Sequence, residues 1–203
     1  MKKGLFITFE GGDGCGKTTQ IELLDKYLQI KGFKTLITRE PGAKGLGTKL
    51  RDILLNYEGD VSPRCESFLF LADRAQNVDC IIKPAIEKGV IVICDRHADS
   101  TVAYQGYGRG VDLNEINRLN NIATNGLKPD LTLVLDVDVE TSMQRVGKDK
   151  DRMESAGKDF FERVRQGFLE IAQKEPKRVK VISSSDTIEN IHKQITELVD
   201  KLC

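Results

Sequence analysis

FEGGDGCGKTTQ, residues 9–20, sets four glycines, Gly11, Gly12, Gly14 and Gly16, between a phenylalanine and a lysine. So many glycines would weaken a helix or a strand, because each gives up backbone order. The flanks give the stretch its meaning. Before it runs LFITFE (5–10), short, apolar and β-branched. After it, from Lys17 to Gln29, Ile21, Leu24 and Leu28 recur at helical spacing. Gly11-x-x-x-x-Gly16-Lys17-Thr18 in a strand–loop–helix setting fits the P-loop pattern. The glycines let successive N–H groups turn inward around an anion, and the helix start adds its positive dipole end. Gly11 to Thr19 (with Asp13, Cys15 and Thr19 among them) therefore reads as a nucleotide-phosphate cradle. Lys17 would reach the β- and γ-phosphates, and the Thr18 hydroxyl would ligate Mg²⁺.

Further short apolar runs follow: TLITRE (35–40), VIVICD (90–95), LTLVLDVD (131–138) and VKVISS (179–184). Near-continuous apolar strands predict burial on both faces of a parallel sheet. Helical patterns separate them. One begins at Ser62-Pro63 and carries the stripe Phe68, Leu71, Ala75, Val78, Ile82 and Ile86 up to Gly89. Another carries Phe161, Val164, Phe168 and Ile171, and Asp186 with Glu189 predicts a capping box for the last helix. With no linker and no repeat, residues 1–203 read as one α/β domain with a doubly wound, five-stranded parallel sheet.

Composition narrows the function. Lys+Arg and Asp+Glu are both 31 among 203 residues, so the basic excess expected of non-specific nucleic-acid binding is missing. No run approaches the ~20 apolar residues of a membrane span, and the N-terminal apolar run is too short for a signal peptide. Five cysteines without CxxC spacing predict reduced thiols and a cytoplasmic protein.

A P-loop alone does not name a reaction. Asp95-Arg96-His97 ends the VIVICD run, where an open α/β sheet binds its ligands. The carboxylate of Asp95 could hold Mg²⁺ directly or through water, and Arg96 could bridge two phosphates; His97 reads as packed or solvated. Phe70 and Arg74, four apart, share a helix face roughly opposite the apolar stripe. Two readings are open: a base-stacking ring beside a hydrogen-bonding cation, or a packed ring beside a solvated arginine. STVAYQGYGRG (100–110) suits either a base-and-sugar reader or an ordinary polar loop. RVGKDKDRMESAGKD (145–159) reads as a charged lid over a phosphate site or as a solvated turn.

Taken together, FEGGDGCGKTTQ, TREPG, FLFLADRAQ, CDRHADSTVAYQGYGRG, LKPDLTLVLDVDVE and DRMES resemble the thymidylate kinase family over essentially the whole length. The resemblance implies a P-loop fold of the nucleoside monophosphate kinase type and transfer of the ATP γ-phosphoryl group to dTMP with Mg²⁺. Carried onto this chain, it implies that Asp13 contacts the acceptor's sugar and 5′ region. Phe70 would stack on thymine and Arg74 would bond a base carbonyl. Thr101 and Gln105 would help recognise the base, and Tyr104 would press where a 2′-hydroxyl would sit. Arg96, with Arg51, would hold the dTMP phosphate. It also implies a homodimer, with the 62–89 helix as a candidate interface.

Family members carry a catalytic arginine either in the P-loop or in the lid. Cys15 occupies the loop slot here, so the resemblance assigns that role to the lid, about 145–158, with Arg152 as candidate and Lys148 and Lys150 in reserve. The usual REPGGT reads REPGAK, which changes that loop at Ala43 and Lys44. Two alternatives stay open at this stage: a kinase for another nucleotide or small alcohol, and a P-loop switch that hydrolyses ATP without an acceptor.

Overall fold

Strands β1 (Phe6–Glu10), β2 (Thr35–Arg39), β3 (Ile91–Asp95), β4 (Leu131–Asp136) and β5 (Val179–Ser183) pair in parallel, in the order β2-β3-β1-β4-β5. The computed structural model describes residues 4–146 and 157–203. Helices α1 (Lys17–Ile30), α2 (Leu46–Asn56), α3 (Pro63–Asn77), α4 (Lys83–Glu87), α5 (Ala98–Thr101), α6 (Leu113–Ala123), α7 (Val139–Val146), α8 (Lys158–Lys174) and α9 (Ile188–Val199) connect and cover them. β1 is buried along its whole length, and its side chains alternate between two apolar layers. Ile7 and Phe9 meet Leu24 and Leu28 of α1 and Ile191 and Ile195 of α9. Phe6 faces the opposite layer with Val78, Ile82 and Ile86. No helix among the described residues is long and apolar enough to cross a membrane.

The doubly wound reading holds, with local corrections. β2 and β5 are edge strands, so their apolar runs are not buried on both sides; Ile37 and Val181 are exposed. The single 62–89 helix is α3 and α4 joined by a π-helical segment, Val78–Ile82. Pro84 has no N–H to continue the α-helical ladder, and Lys83 donates five residues back to Val78. The last helix is capped by Thr187, which accepts from the Asn190 N–H, not by Asp186.

Two corrections bear on the site. The predicted stripe faces the core at Leu71, Val78, Ile82 and Ile86 but not at its first residue: Phe68 is half exposed, while the polar residues Glu66, Ser67, Asp73, Arg74 and Asn77 of the same helix are buried. Helix α3 turns its polar side inward, which only a polar interior can accept. Residues 100–110 are not a loop either. They continue α5 through a π-helical segment, Val102–Gly108, packed on α8. A Cβ on Gly108 would lie 2.5 Å from the Phe160 ring, so glycine permits this close approach.

Candidate active site

Because β1 and β3 are neighbours, the loop after one and the turn after the other meet at the carboxyl edge of the sheet. Gly11, Gly14 and Gly16 adopt φ of 126°, 73° and 91°. These values favour glycine, and a Cβ on Gly11 would also lie 2.4 Å from the Leu135 carbonyl oxygen. Lys17 is buried, its Nζ donating to Gly12 O at 2.8 Å and Gly11 O at 3.2 Å. Cys15 turns into the apolar layer beneath, so at that position the loop offers a backbone and no side chain.

Arg96 joins this loop to β3. Its φ of 68° is left-handed, an unfavourable state for a residue with a Cβ. Side-chain bonds hold it there: Nη1 donates to Gly11 O at 2.8 Å and Ser100 Oγ at 3.3 Å, and Nη2 to Asp13 Oδ1 at 2.6 Å. The guanidinium also lies 5.1 Å from the centre of the Tyr104 ring. Burial pushes the Asp13 carboxyl up, but Arg96 and Lys17 outweigh it and hold its pKa at about 2. Beneath them Glu10 accepts from the His97 N–H at 2.8 Å and the Ser100 hydroxyl at 2.5 Å. Burial and the Asp99 charge raise its pKa to about 7, against the pull of Ser100 and Arg96.

Arg74 is neither solvated nor loose. It is 1% exposed, donating from Nε to Glu40 Oε2 at 2.8 Å, from Nη1 to Thr101 Oγ1 and Asn120 Oδ1, both at 2.7 Å, and from Nη2 to His97 O at 2.8 Å. One of its five N–H groups is left over, and Arg74 lines the cleft. Glu40 is the hub, accepting also from Asn77 Nδ2 and bonding His97 Nδ1, both at 3.0 Å. Burial would raise its pKa, but His97 and Arg74 bring it to about 2. Glu40, Cys94 and His97 sit close enough for a metal, yet Cys94 donates to Arg96 O and His97 pairs with Glu40. That cluster is scaffold, and His97 is packed edge-on against Phe6, as the sequence suggests.

A cleft of about 410 Å³ gathers Asp13, Lys17, Thr18, Arg51, Phe70, Arg74, Asp95, Arg96, Thr101, Tyr104 and Gln105 on its walls. Thr19 is exposed and does not line it, nor do Gly11, Gly12 or Cys15. Phe70 is half-buried and packs on the cluster that holds Tyr104 and Phe168. Arg51 donates to Pro41 O at 2.8 Å, bracing the loop after β2. Asp95 Oδ2 accepts from Arg39 Nη2 at 3.3 Å, while its Oδ1 is buried without a partner among the described residues. An orphaned carboxylate oxygen and the nearby Thr18 hydroxyl are hard donors that suit Mg²⁺. Arg152, Lys148 and Lys150 lie outside the described residues; Arg145 reaches Gly14 O at 3.4 Å.

Sequence reasoning missed Glu40, Glu66, Asn77 and Asn120. Glu40 carried a weak signal, a charge at the end of a strand; Asn120, arriving from α6, carried none.

The family model described as thymidylate kinase matches residues 9–195. The chain is 48% identical to the thymidylate kinase of Bifidobacterium longum, aligned over 98% of each protein. It is 45% identical to that of Desulfovibrio desulfuricans over 97% of this chain and 95% of the relative. A crystal structure of thymidylate kinase from Ehrlichia chaffeensis superposes with a TM-score of 0.81 at 39% identity, covering 98% of this chain and 99% of that one.

Proposed function

Since the chain belongs to the thymidylate kinase family, we infer that it transfers the γ-phosphoryl group of ATP to dTMP, giving dTDP for dTTP synthesis. One observation carries this reading: Arg96 is tied to the P-loop through Asp13 and Gly11, beside a cleft walled by Phe70 and Arg74. A hydrolytic switch needs no such second pocket.

The donor phosphates lie on the amides of Gly11 to Thr19, with Lys17 leaving the loop carbonyls for the β- and γ-phosphates. Arg96 spends both Nη1 hydrogens and one Nη2 hydrogen on protein, leaving Nε and the second Nη2 hydrogen for the acceptor phosphate. Arg51 faces the same phosphate. Asp13 holds Arg96 in place and meets the acceptor's sugar near the 5′ oxygen. Thymine stacks on Phe70, and the last N–H of Arg74 meets a base carbonyl. Thr101 and Gln105 flank the base, and Tyr104 sits where a 2′-hydroxyl would come. Mg²⁺ entering with ATP would be held by Thr18 and Asp95, and when bound it neutralises phosphate charge. Arg152, from the lid at 145–158 of this single domain, stabilises the transferring group, because Cys15 cannot.

The partner is a second copy of the chain. Helices α2 and α3 pack on each other and expose Ile53 and Phe68, the apolar side that the inward-facing polar side displaces. Free thiols at Cys15, Cys65, Cys80 and Cys94 suit the cytoplasm. A coupled ADP-release assay with dTMP, dUMP, dCMP, AMP and dGMP as acceptors tests the reading. Preference for dTMP is expected; equal rates would overturn it.

A further inference from the structure

Glu66, Phe70 and Arg74 recur every four residues on the inward face of α3. Opposite them, Thr101 and Gln105 are four apart on the segment running from α5 into Val102–Gly108. Two polar rungs link these elements, one on each side of Phe70. Arg74 Nη1 donates to Thr101 Oγ1 at 2.7 Å, and Gln105 Nε2 donates to Glu66 Oε1 at 3.1 Å.

The second rung has a direction. Glu66 is 1% exposed and forms an ion pair with Arg109 at 3.5 Å, so its carboxylate only accepts. Gln105 must therefore give its NH₂ to Glu66. Gln105 lines the cleft and Glu66 does not, so the amide oxygen is turned the other way; among the described residues that oxygen has no hydrogen-bond partner.

We propose that Glu66 is a specificity-determining positioning residue: it holds the Gln105 amide oxygen toward the cleft as an acceptor for the N3–H of a keto pyrimidine. The adjacent 4-carbonyl of the same ring takes the remaining N–H of Arg74. A thymine or uracil ring presents this donor and acceptor side by side. Cytosine presents the inverse, a lone pair at N3 and an amino group at position 4, and would meet like against like at both rungs. Site-imposed mismatches of this kind reject an analogue far more strongly than a missing methyl group does.

The inference rests on the thymidylate reading, and two variants of one assay separate their fates. If the wild-type protein fails to phosphorylate dTMP, the thymidylate reading falls. If it succeeds, Glu66→Gln tests the inference. Glutamine keeps the size of the side chain but can donate to Gln105, so the Gln105 amide is free to turn over. The expected result is a fall of about tenfold or more in the dTMP-to-dCMP ratio of kcat/KM, carried by the acceptor KM, with the KM for ATP unchanged. An unchanged ratio, or equal losses for both acceptors, overturns the proposal. Should the variant not fold, wild-type binding of N3-methyl-dTMP decides: about tenfold weaker binding than dTMP supports the proposal, and equal binding overturns it.

Discussion

Arg96 donates to Asp13 at 2.6 Å while its other nitrogen reaches Gly11 O at 2.8 Å, so the end of β3 is fastened to the loop that follows β1. The two strands are adjacent in the sheet but 83 residues separate the bonded side chains. The bond holds the arginine in a left-handed backbone state it would otherwise leave, and under the proposed function it would set the distance between donor and acceptor phosphates.

Arg96→Lys should therefore lower kcat/KM for dTMP by about 10²–10³-fold, because an ammonium cannot reproduce the fork that binds loop and phosphate together. Steady-state kinetics with ATP and dTMP measure this. A loss below tenfold would remove Arg96 from phosphate binding.

Arg74→Ala should destabilise the fold by about 3–5 kcal/mol, since the buried charge of Glu40 would lose its guanidinium partner and keep only Asn77 and His97. Urea unfolding at neutral pH reads the loss. A change under about 1 kcal/mol would mean that the Glu40 hub is redundant.

Stability should have a maximum near pH 4.5. Glu40 and Asp13 are held at about 2, below their usual values, so their contribution is present above the unfolded values and fades as pH falls toward 2. Glu10 is raised to about 7 and Asp73, mainly by burial, to about 6. In the folded protein these two hold protons that the unfolded chain has released, so stability should decline as pH rises from about 4.5 to 7. Glu10→Gln, which keeps an acceptor for the His97 N–H, should flatten that decline. Unfolding free energies measured at pH 4.5, 6 and 8 check the sign; a rise across this window in the wild type would contradict it.

Arg152→Ala should lower kcat about 10³-fold with little change in the KM for dTMP, as for other arginines that act on the transferring phosphoryl group. Single-turnover rates would show it, and an unaltered rate would pass the role to Lys148, Lys150 or Arg145.

If the proposed pairing of two copies uses the outer side of α3, Phe68→Asp should shift the protein toward monomer, because it puts a charge at the exposed Phe68 position. Sedimentation velocity distinguishes the states, and an unmoved dimer would point to another face.

The sheet, the P-loop, the Asp95-Arg96 turn and the family were legible in residue order, since each depends on neighbours along the chain. A glycine pattern after a β-branched run, a proline at a helix start and an apolar period are all local statements. Phe70 with Arg74 could be read either way, and only packing settled which way α3 faced. Arg74 meets Glu40, Thr101 and Asn120 across 34, 27 and 46 residues, and together these partners make an interior polar enough to hold a guanidinium. Burying a charge is unfavourable until every partner arrives, so no window of sequence contains the reason that the polar side of this helix is its inner side.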